Sequence, residues 1–433
     1  MNSLIPHTDY RLPLTDYLLT SPLFPYNMKT IPRQILLVLS IHLSLGTLCS
    51  SAQTPGSEVK FKKSHLWDEF YTEAATIGDV NKDGKADIIA GARWFEAPDW
   101  KAHDIWKPKR FDYTKGYSDS FLNFMLDVNE DGWIDLICFD FPGRQAYWLE
   151  NPAGIEALWK RNLIDSIAAN ESPFMGDIDG NGKGDLVFSN NKTGQMNWWA
   201  STVKSKKVTW KATAISEPNA KATGMFAHGL GWGDINSDGV KDVIVIGGWW
   251  EGPKDMKASP WKFHEANLGY PCSQMLTYDF DSDGDTDVVS GSAHDYGLWW
   301  HEQVKDKNQN IGFIRHVIDS TFSELHSIEL EDVNNDGLPD LITGKRFFSH
   351  QGHGPGGLEP AVVYWFELLK DGKQKPVWVR HVIDDNSGVG IQFEAFDMNK
   401  DGKLDFVIGN KNGVYYFEQQ PPTAEQKSKA ANK

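Results

Sequence analysis

Twenty-eight side chains, most of them acidic, recur at a spacing able to hold a hard cation. The nonapeptide D-x-[DN]-x-[DN]-G-x-x-D appears seven times. Its first, third, fifth and ninth positions are Asp79, Asn81, Asp83 and Asp87; Asp127, Asn129, Asp131 and Asp135; Asp177, Asp179, Asn181 and Asp185; Asp234, Asn236, Asp238 and Asp242; Asp279, Asp281, Asp283 and Asp287; Asp332, Asn334, Asp336 and Asp340; Asp397, Asn399, Asp401 and Asp405. Alternate side chains of a tight loop converge on one centre, Gly at position six permits the sharp turn, and oxygen donors in that number suit Ca2+. An EF-hand needs flanking helices and Glu at position twelve. These loops instead carry Ala90, Cys138, Phe188, Val245, Ser290, Thr343 and Ile408 there, so the ninth Asp is expected to close each site. Asx turns without an ion use the same residue types, yet 22 of the 28 positions are carboxylates, and crowding like charges into an empty loop is costly. Up to seven structural calcium ions are expected.

A second chemistry rests on His and Glu. His228 and His326 stand six residues before the first Asp of the fourth and sixth loops, and Glu73 and Glu171 hold the same place before the first and third. Convergent His and Glu suit Zn2+ or another divalent metal with an open position, able to polarise a carbonyl or activate water. By contrast, His103, His264, His316 and His381 recur in one strand motif and read as structural, as do the paired tryptophans Trp249-Trp250 and Trp299-Trp300.

The elements that must position these groups repeat as well. An apolar strand enters each loop, a strand such as ADIIAGA or KDVIVIGG leaves it, an aromatic strand such as GWWEGP or YWFEL follows, and a W-[KV]-x-H-x-I strand comes last. Units of roughly 40 to 50 residues with four strands each imply propeller blades. The expected fold is an all-β, seven-bladed propeller with four-stranded antiparallel blades and calcium loops, spanning residues 59–418. VKFKKSHLWDE, from Val59, resembles a fourth strand with no unit before it, and the final repeat stops after its third strand. The N-terminal strand is therefore expected to complete the last blade and leave no open sheet edge.

In such a ring the residues six before each first Asp lie at the mouth opposite the calcium loops. The second-to-third-strand connections reach the same face with Arg93, Arg144, His294, Asp295, Lys345, Arg346, His350 and His353. His228, His326, His294, Lys345 and Arg346 are the candidate catalytic residues, with His228, His326 and Glu171 as the candidate transition-metal set. Lys345 and Arg346 open a long Gly-rich insertion and suit a sugar carboxylate or enolate.

These motifs resemble the FG-GAP or VCBS repeat family, over about Val59 to Glu418, whose blades carry such calcium loops. The stretches AHGLGWGDINSDG, SAHDYGLWW and ELHSIELEDVNNDGLPDLITGKRFF also resemble the propeller portion of aldos-2-ulose (anhydrofructose) dehydratases. That resemblance implies a metal-assisted lyase or dehydratase acting on oxidised or anionic sugars, although no cupin-like region is appended here. The alternative is a non-catalytic propeller that binds glycan or protein.

Bulk properties agree with export and argue against other partners. Residues 28–52 have a basic start, an apolar stretch from Ile35 to Leu48, then Ser50 and Ala52, the pattern of a signal peptide. Residues 1–52 are thus read as a leader region with cleavage near Ala52 and a start at Met28, followed by a linker over 53–58. The product is expected to be secreted or periplasmic, with no membrane span in the mature chain. The tail over 419–433, rich in Pro, Gln, Lys and Ala, is expected to be disordered. Net charge is −16 and no basic run tracks a phosphate backbone, so nucleic acid is excluded as a partner. Cys138 and Cys272 allow at most one disulfide after cleavage.

Overall fold

The computed structural model describes residues 59–269 and 271–421. The leader, the linker and most of the tail expected above lie outside them. Regular structure among the described residues is β, apart from one short 3-10 turn at Ser349–Gly352.

Strand β1 (Phe61–Trp67) comes first. The chain then repeats a four-strand pattern: β2 (Thr76–Gly78), β3 (Asp87–Ala90), β4 (Arg93–Glu96), β5 (Lys101–Asp104); β6 (Leu122–Leu126), β7 (Asp135–Phe139), β8 (Arg144–Glu150), β9 (Lys160–Gly176); β10 (Asp185–Asn190), β11 (Gln195–Lys204), β12 (Lys207–Ala214). It continues with β13 (Leu230–Gly233), β14 (Asp242–Val245), β15 (Gly248–Glu251), β16 (Lys262–Glu265); β17 (Gln274–Tyr278), β18 (Asp287–Gly291), β19 (Tyr296–Lys305), β20 (Ile311–Ser323); β21 (Ile328–Glu331), β22 (Asp340–Gly344), β23 (Val363–Lys370), β24 (Pro376–Asp384); and β25 (Phe393–Phe396), β26 (Asp405–Asn410), β27 (Gly413–Gln419).

Sequential strands pair antiparallel. Two groups share one sheet because β9 is long enough to close one unit and open the next, pairing with β8 through its first half and β10 through its second. Another two join through a short parallel contact of β13 with β17, Leu230 opposite Gln274. In the last sheet the order is β1-β27-β26-β25, with Phe61 opposite Gln419 and Trp67 opposite Val414. First strands of different units approach one another: β2 meets β6 and β25, β9 meets β13, β17 meets β21, and β21 meets β25.

Burial explains why the residue patterns differ along each unit. Second strands such as DIIA, DLICF and DVIV are buried at every position, since both faces pack on neighbouring sheets and alternation has no solvent side to serve. Outermost strands such as KFHE and PVWVRHVID mix exposed with half-buried positions, as a one-sided edge requires. Hydrophobic clusters sit between sheets: Ile89 and Trp94 of one pack with Leu136, Tyr147 and Leu149 of the next. The repeated histidines lie on these outer strands. His103, His264, His316 and His381 stack on Trp94, Trp249, Trp300 and Trp365 at 4.1–4.5 Å and contact Glu96, Glu251, Glu302 and Glu367 at 2.7–2.9 Å. Cys138 and Cys272 are buried free thiols in different clusters.

Candidate functional site

Each nonapeptide forms the turn between the first and second strands of its unit. Position four is left-handed in every loop, from Lys82 (φ 59) to Lys400 (φ 61), and the Gly at position six has φ between 80 and 93, from Gly402 to Gly284; glycine alone adopts that angle without a Cβ penalty. In the first loop both carboxylate oxygens of Asp79 accept backbone N–H bonds, from Asp83 and Gly84. Asp87 is fully buried and ties two segments together, accepting from Val80 at 3.0 Å and from Ala97 at 2.8 Å. Six of the seven ninth-position aspartates are held this way from the loop side, as Asp135, Asp242 and Asp340 illustrate, and Asp405 accepts from the Tyr416 hydroxyl at 3.0 Å. Burial raises their carboxyls, Asp87 and Asp405 to about 6 and Asp135, Asp185, Asp242, Asp287 and Asp340 to about 7, with nearby loop carboxylates adding to the rise. Oxygen donors in this number and arrangement fit Ca2+. In the third loop one oxygen each of Asp177, Asp179 and Asp185 lies within 4.8 Å of the others; Asp279, Asp281 and Asp287 do the same in the fifth.

A second group gathers from far-apart segments. His228 precedes β13, His326 precedes β21, and His294 sits in the turn between β18 and β19; one ring nitrogen of each lies within 4.8 Å of the others. Ring centroids are 4.4 Å apart for His228 and His294, and 5.9 Å for each with His326. The Nδ1–H of His228 donates to the carbonyl of Phe226 at 2.8 Å, and that of His326 to the carbonyl of Glu324 at 3.1 Å. A carbonyl only accepts, so both rings are turned to present Nε2 inward. Both Nε2 atoms are buried without a hydrogen-bond partner. The nearest carboxylate, Glu171 Oε2, stands 3.3 Å from His228 Nε2, an ion-pair distance without hydrogen-bond alignment.

Electrostatics keep two of these rings neutral. Burial, reinforced by Arg346 and the other imidazoles, lowers His326 far below the usual range. Burial of the imidazole among its neighbours, with the charges of His228 and His350, brings His294 down to about 4. His228 and Glu171 behave as a pair. Burial would lower the imidazole and raise the carboxyl, but their mutual attraction outweighs it and moves each the other way. His350 completes the rim: its Nδ1–H donates to Glu324 Oε2 at 3.0 Å, and its ring lies 4.6 Å from that of His294. Phe348, His350 and Gln351 all adopt left-handed backbone here, a strained conformation for non-glycine residues.

The two candidate cations of the insertion are buried. Lys345 turns into its own loop, where Nζ donates to the carbonyl of Gly357 at 3.1 Å. Arg346 donates through Nη2 to Glu73 Oε2 at 2.8 Å, both being essentially inaccessible. Arg93 and Arg144 pair elsewhere, with Asp104 and Asp140. Three participants escaped the sequence reading: Glu324, Tyr117 and Lys411. Lys411 occupies the turn between β26 and β27, the place that supplies His294 and Lys345 in other units, so the same positional rule would have found it. Tyr117 lies in a connection with no repeat counterpart.

Two stretches match the model of an FG-GAP-like repeat, residues 127–188 and 279–343. The chain carries FG-GAP-like repeats. Each matched stretch begins at the first Asp of a loop and holds one complete turn of the strand pattern. Among solved structures the chain is similar to an Agrocybe aegerita lectin, described for its recognition of non-reducing terminal N-acetylglucosamine, at 16% identity over 76% of this chain and 82% of that one, TM-score 0.43. It is similar to the V. cholerae biofilm matrix protein Bap1 at 10% identity over 84% and 92%, TM-score 0.44. It is also similar to the rhamnogalacturonan lyase YesW at 11% identity over 84% and 74%, TM-score 0.40. No curated protein sequence matches the chain.

Proposed function

We propose that this chain is an exported, calcium-stabilised β-propeller of seven blades that holds a divalent transition metal at one mouth of its channel and acts there on oxidised or anionic sugars as a lyase or dehydratase. The cyclic approach of first strands and the pairing of β1 with β27 support the closed ring. The propeller comprises residues 59–418, behind a leader cleaved near Ala52, and up to seven Ca2+ ions fill the Asp loops.

One observation carries the metal reading: two buried imidazoles aim unpartnered Nε2 atoms at the place where His294 arrives. Zinc ligands at roughly 2.0–2.1 Å in a tetrahedron stand about 3.3 Å apart, the separation of His228 Nε2 and Glu171 Oε2. His228, His294 and His326 bring three ring nitrogens within 4.8 Å of one another and fit Zn2+ or a similar ion, with Glu171 standing beside His228 alone. When bound, such an ion supplies Lewis acidity to a sugar carbonyl or an attached water. The carbonyls of Phe226 and Glu324 fix the tautomers of His228 and His326, the outer-partner role that raises ligand precision. The sugar class draws on the resemblance to aldos-2-ulose dehydratases, whose three quoted stretches are the ones that contain His228, His294 and His326.

Zinc titration of the chelator-treated, calcium-reloaded protein is expected to reveal one tight site per chain. His326→Ala should weaken it by more than the 10- to 100-fold, roughly, that loss of an outer partner costs. Uptake unchanged by that substitution, or no uptake by the wild type, overturns the metal reading. Tight zinc without turnover of any keto-sugar in a panel would point instead to a glycan- or protein-binding propeller.

A further inference from the structure

Beside the imidazole group the structure buries more cationic hydrogen-bond donors than it satisfies. Arg346 gives Nη2 to Glu73, but its Nε is buried with no partner. Lys411 is 2% exposed, and its one hydrogen bond is a long one, 3.4 Å to the carbonyl of Phe348. An ammonium has three donors, so Lys411 holds donors in reserve. Both cations lie against the half-buried ring of Tyr117, Lys411 Nζ at 4.3 Å and Arg346 Cζ at 5.2 Å from its centroid.

The charged groups nearby have partners of their own. Glu171 is engaged with His228, Glu324 with His350, and Lys345 with the carbonyl of Gly357. Glu73 is the carboxylate facing both Arg346 and Lys411. Two cations against one carboxylate in a buried place are costly without a further anion. Burial, with the repulsion of Arg346 behind it, brings Lys411 down to about 8 even though Glu73 opposes the fall. The corner adjoins the imidazoles through chain connectivity: Arg346 N–H donates to the carbonyl of Glu324, and Lys411 reaches the residue two before His350.

We infer that Lys411 and Arg346, set against Tyr117, form a recognition corner for a single carboxylate, so that the sugar handled at the imidazole group is of the uronate type. This rests on the proposed sugar chemistry for its ligand class, while its geometry is independent of the metal. A carboxylate there accepts charge-assisted bonds from Lys411 Nζ and Arg346 Nε, the stronger class of hydrogen bond.

The test is calorimetric titration of the full mature chain with galacturonate and with uncharged galactose, with and without added zinc. Wild type is expected to favour galacturonate by about tenfold or more, a difference of about 1.4 kcal/mol, with or without zinc. Lys411→Met should abolish that preference while leaving zinc uptake intact, and Lys411→Arg should retain it. Equal binding of the two sugars by wild type, or a preference that survives Lys411→Met, overturns the inference. Should Lys411→Met fail to fold, wild type in about 0.5 M salt supplies the second reading, because a nearly buried pair is screened much less than a surface one. A preference that vanishes there, like that of an exposed ion pair, also overturns it. Loss of zinc uptake with the galacturonate preference intact would count against the metal centre alone.

Discussion

At the scale of single residues, several groups around the imidazoles find their partners on other units, as Glu171 with His228 and Glu73 with Arg346 do. Arg346 and Glu73 are the clearest case, with both side chains essentially inaccessible and only one well-formed contact between them. Breaking such a pair leaves a buried charge, which costs about 3–5 kcal/mol. Arg346→Met should therefore lower the unfolding free energy by about that amount, and the double variant Glu73→Leu/Arg346→Met should recover much of it. Urea denaturation of the set checks this; equal stability of the two variants would show that the pair is not what matters. The spacing rule brought out His228, His326 and Glu171 from the sequence because they occupy one register position in a repeat. Glu324 and Tyr117 carry no such mark, since their importance comes from the distant side chains they face.

At the scale of the element, the ninth-position Asp does more than close a loop. Asp135 accepts N–H bonds from Val128 at 3.0 Å and from Asn151 at 2.8 Å, stapling the Asp-rich turn to the end of the aromatic strand β8. The sequence reading assigned this residue to the ion alone. It missed the second bond because Asn151 is 16 residues away and its amide has no side-chain signature. Asp135→Ala strands two buried donors at about 1–3 kcal/mol each, so a loss of about 2–6 kcal/mol is expected in chelator. Hydrogen exchange reads it directly: the amides of Val128 and Asn151 should lose protection together. If only the loop amide responds, the staple is not a mechanical unit.

At the scale of the molecule, the seven ninth-position carboxyls act in concert. Their folded values, about 6 to 7, lie above the value of about 4 expected when unfolded. Between those limits the folded chain binds more protons than the unfolded one, so stability falls as pH rises. In chelator, the melting temperature should drop from about pH 5 to about pH 7.5 as this contribution is lost. On the proposed calcium reading, the ion replaces those protons and stabilises the folded state by mass action. The rise in melting temperature on adding calcium should accordingly be larger near pH 7.5 than near pH 5. Scanning calorimetry with and without chelator decides it, and a calcium effect that is absent or equal at both pH values would remove the ion from the loops.

What the sequence by itself determined is local and periodic. The D-x-[DN]-x-[DN]-G-x-x-D turns, the apolar runs leaving them and the Trp-His-Glu arrangement of the outer strands all follow from short-range backbone and packing rules, repeated often enough to be unmistakable. Tertiary structure alone decided which side chains meet. His228, His294 and His326 come from different units, and Lys411 reaches the same region from the last hairpin. Their convergence depends on how each sheet packs against the next, a relation between surfaces that no spacing along the chain records. The buried, unpartnered Nε2 atoms are a property of that packing, and so is the surplus of cationic donors around Tyr117.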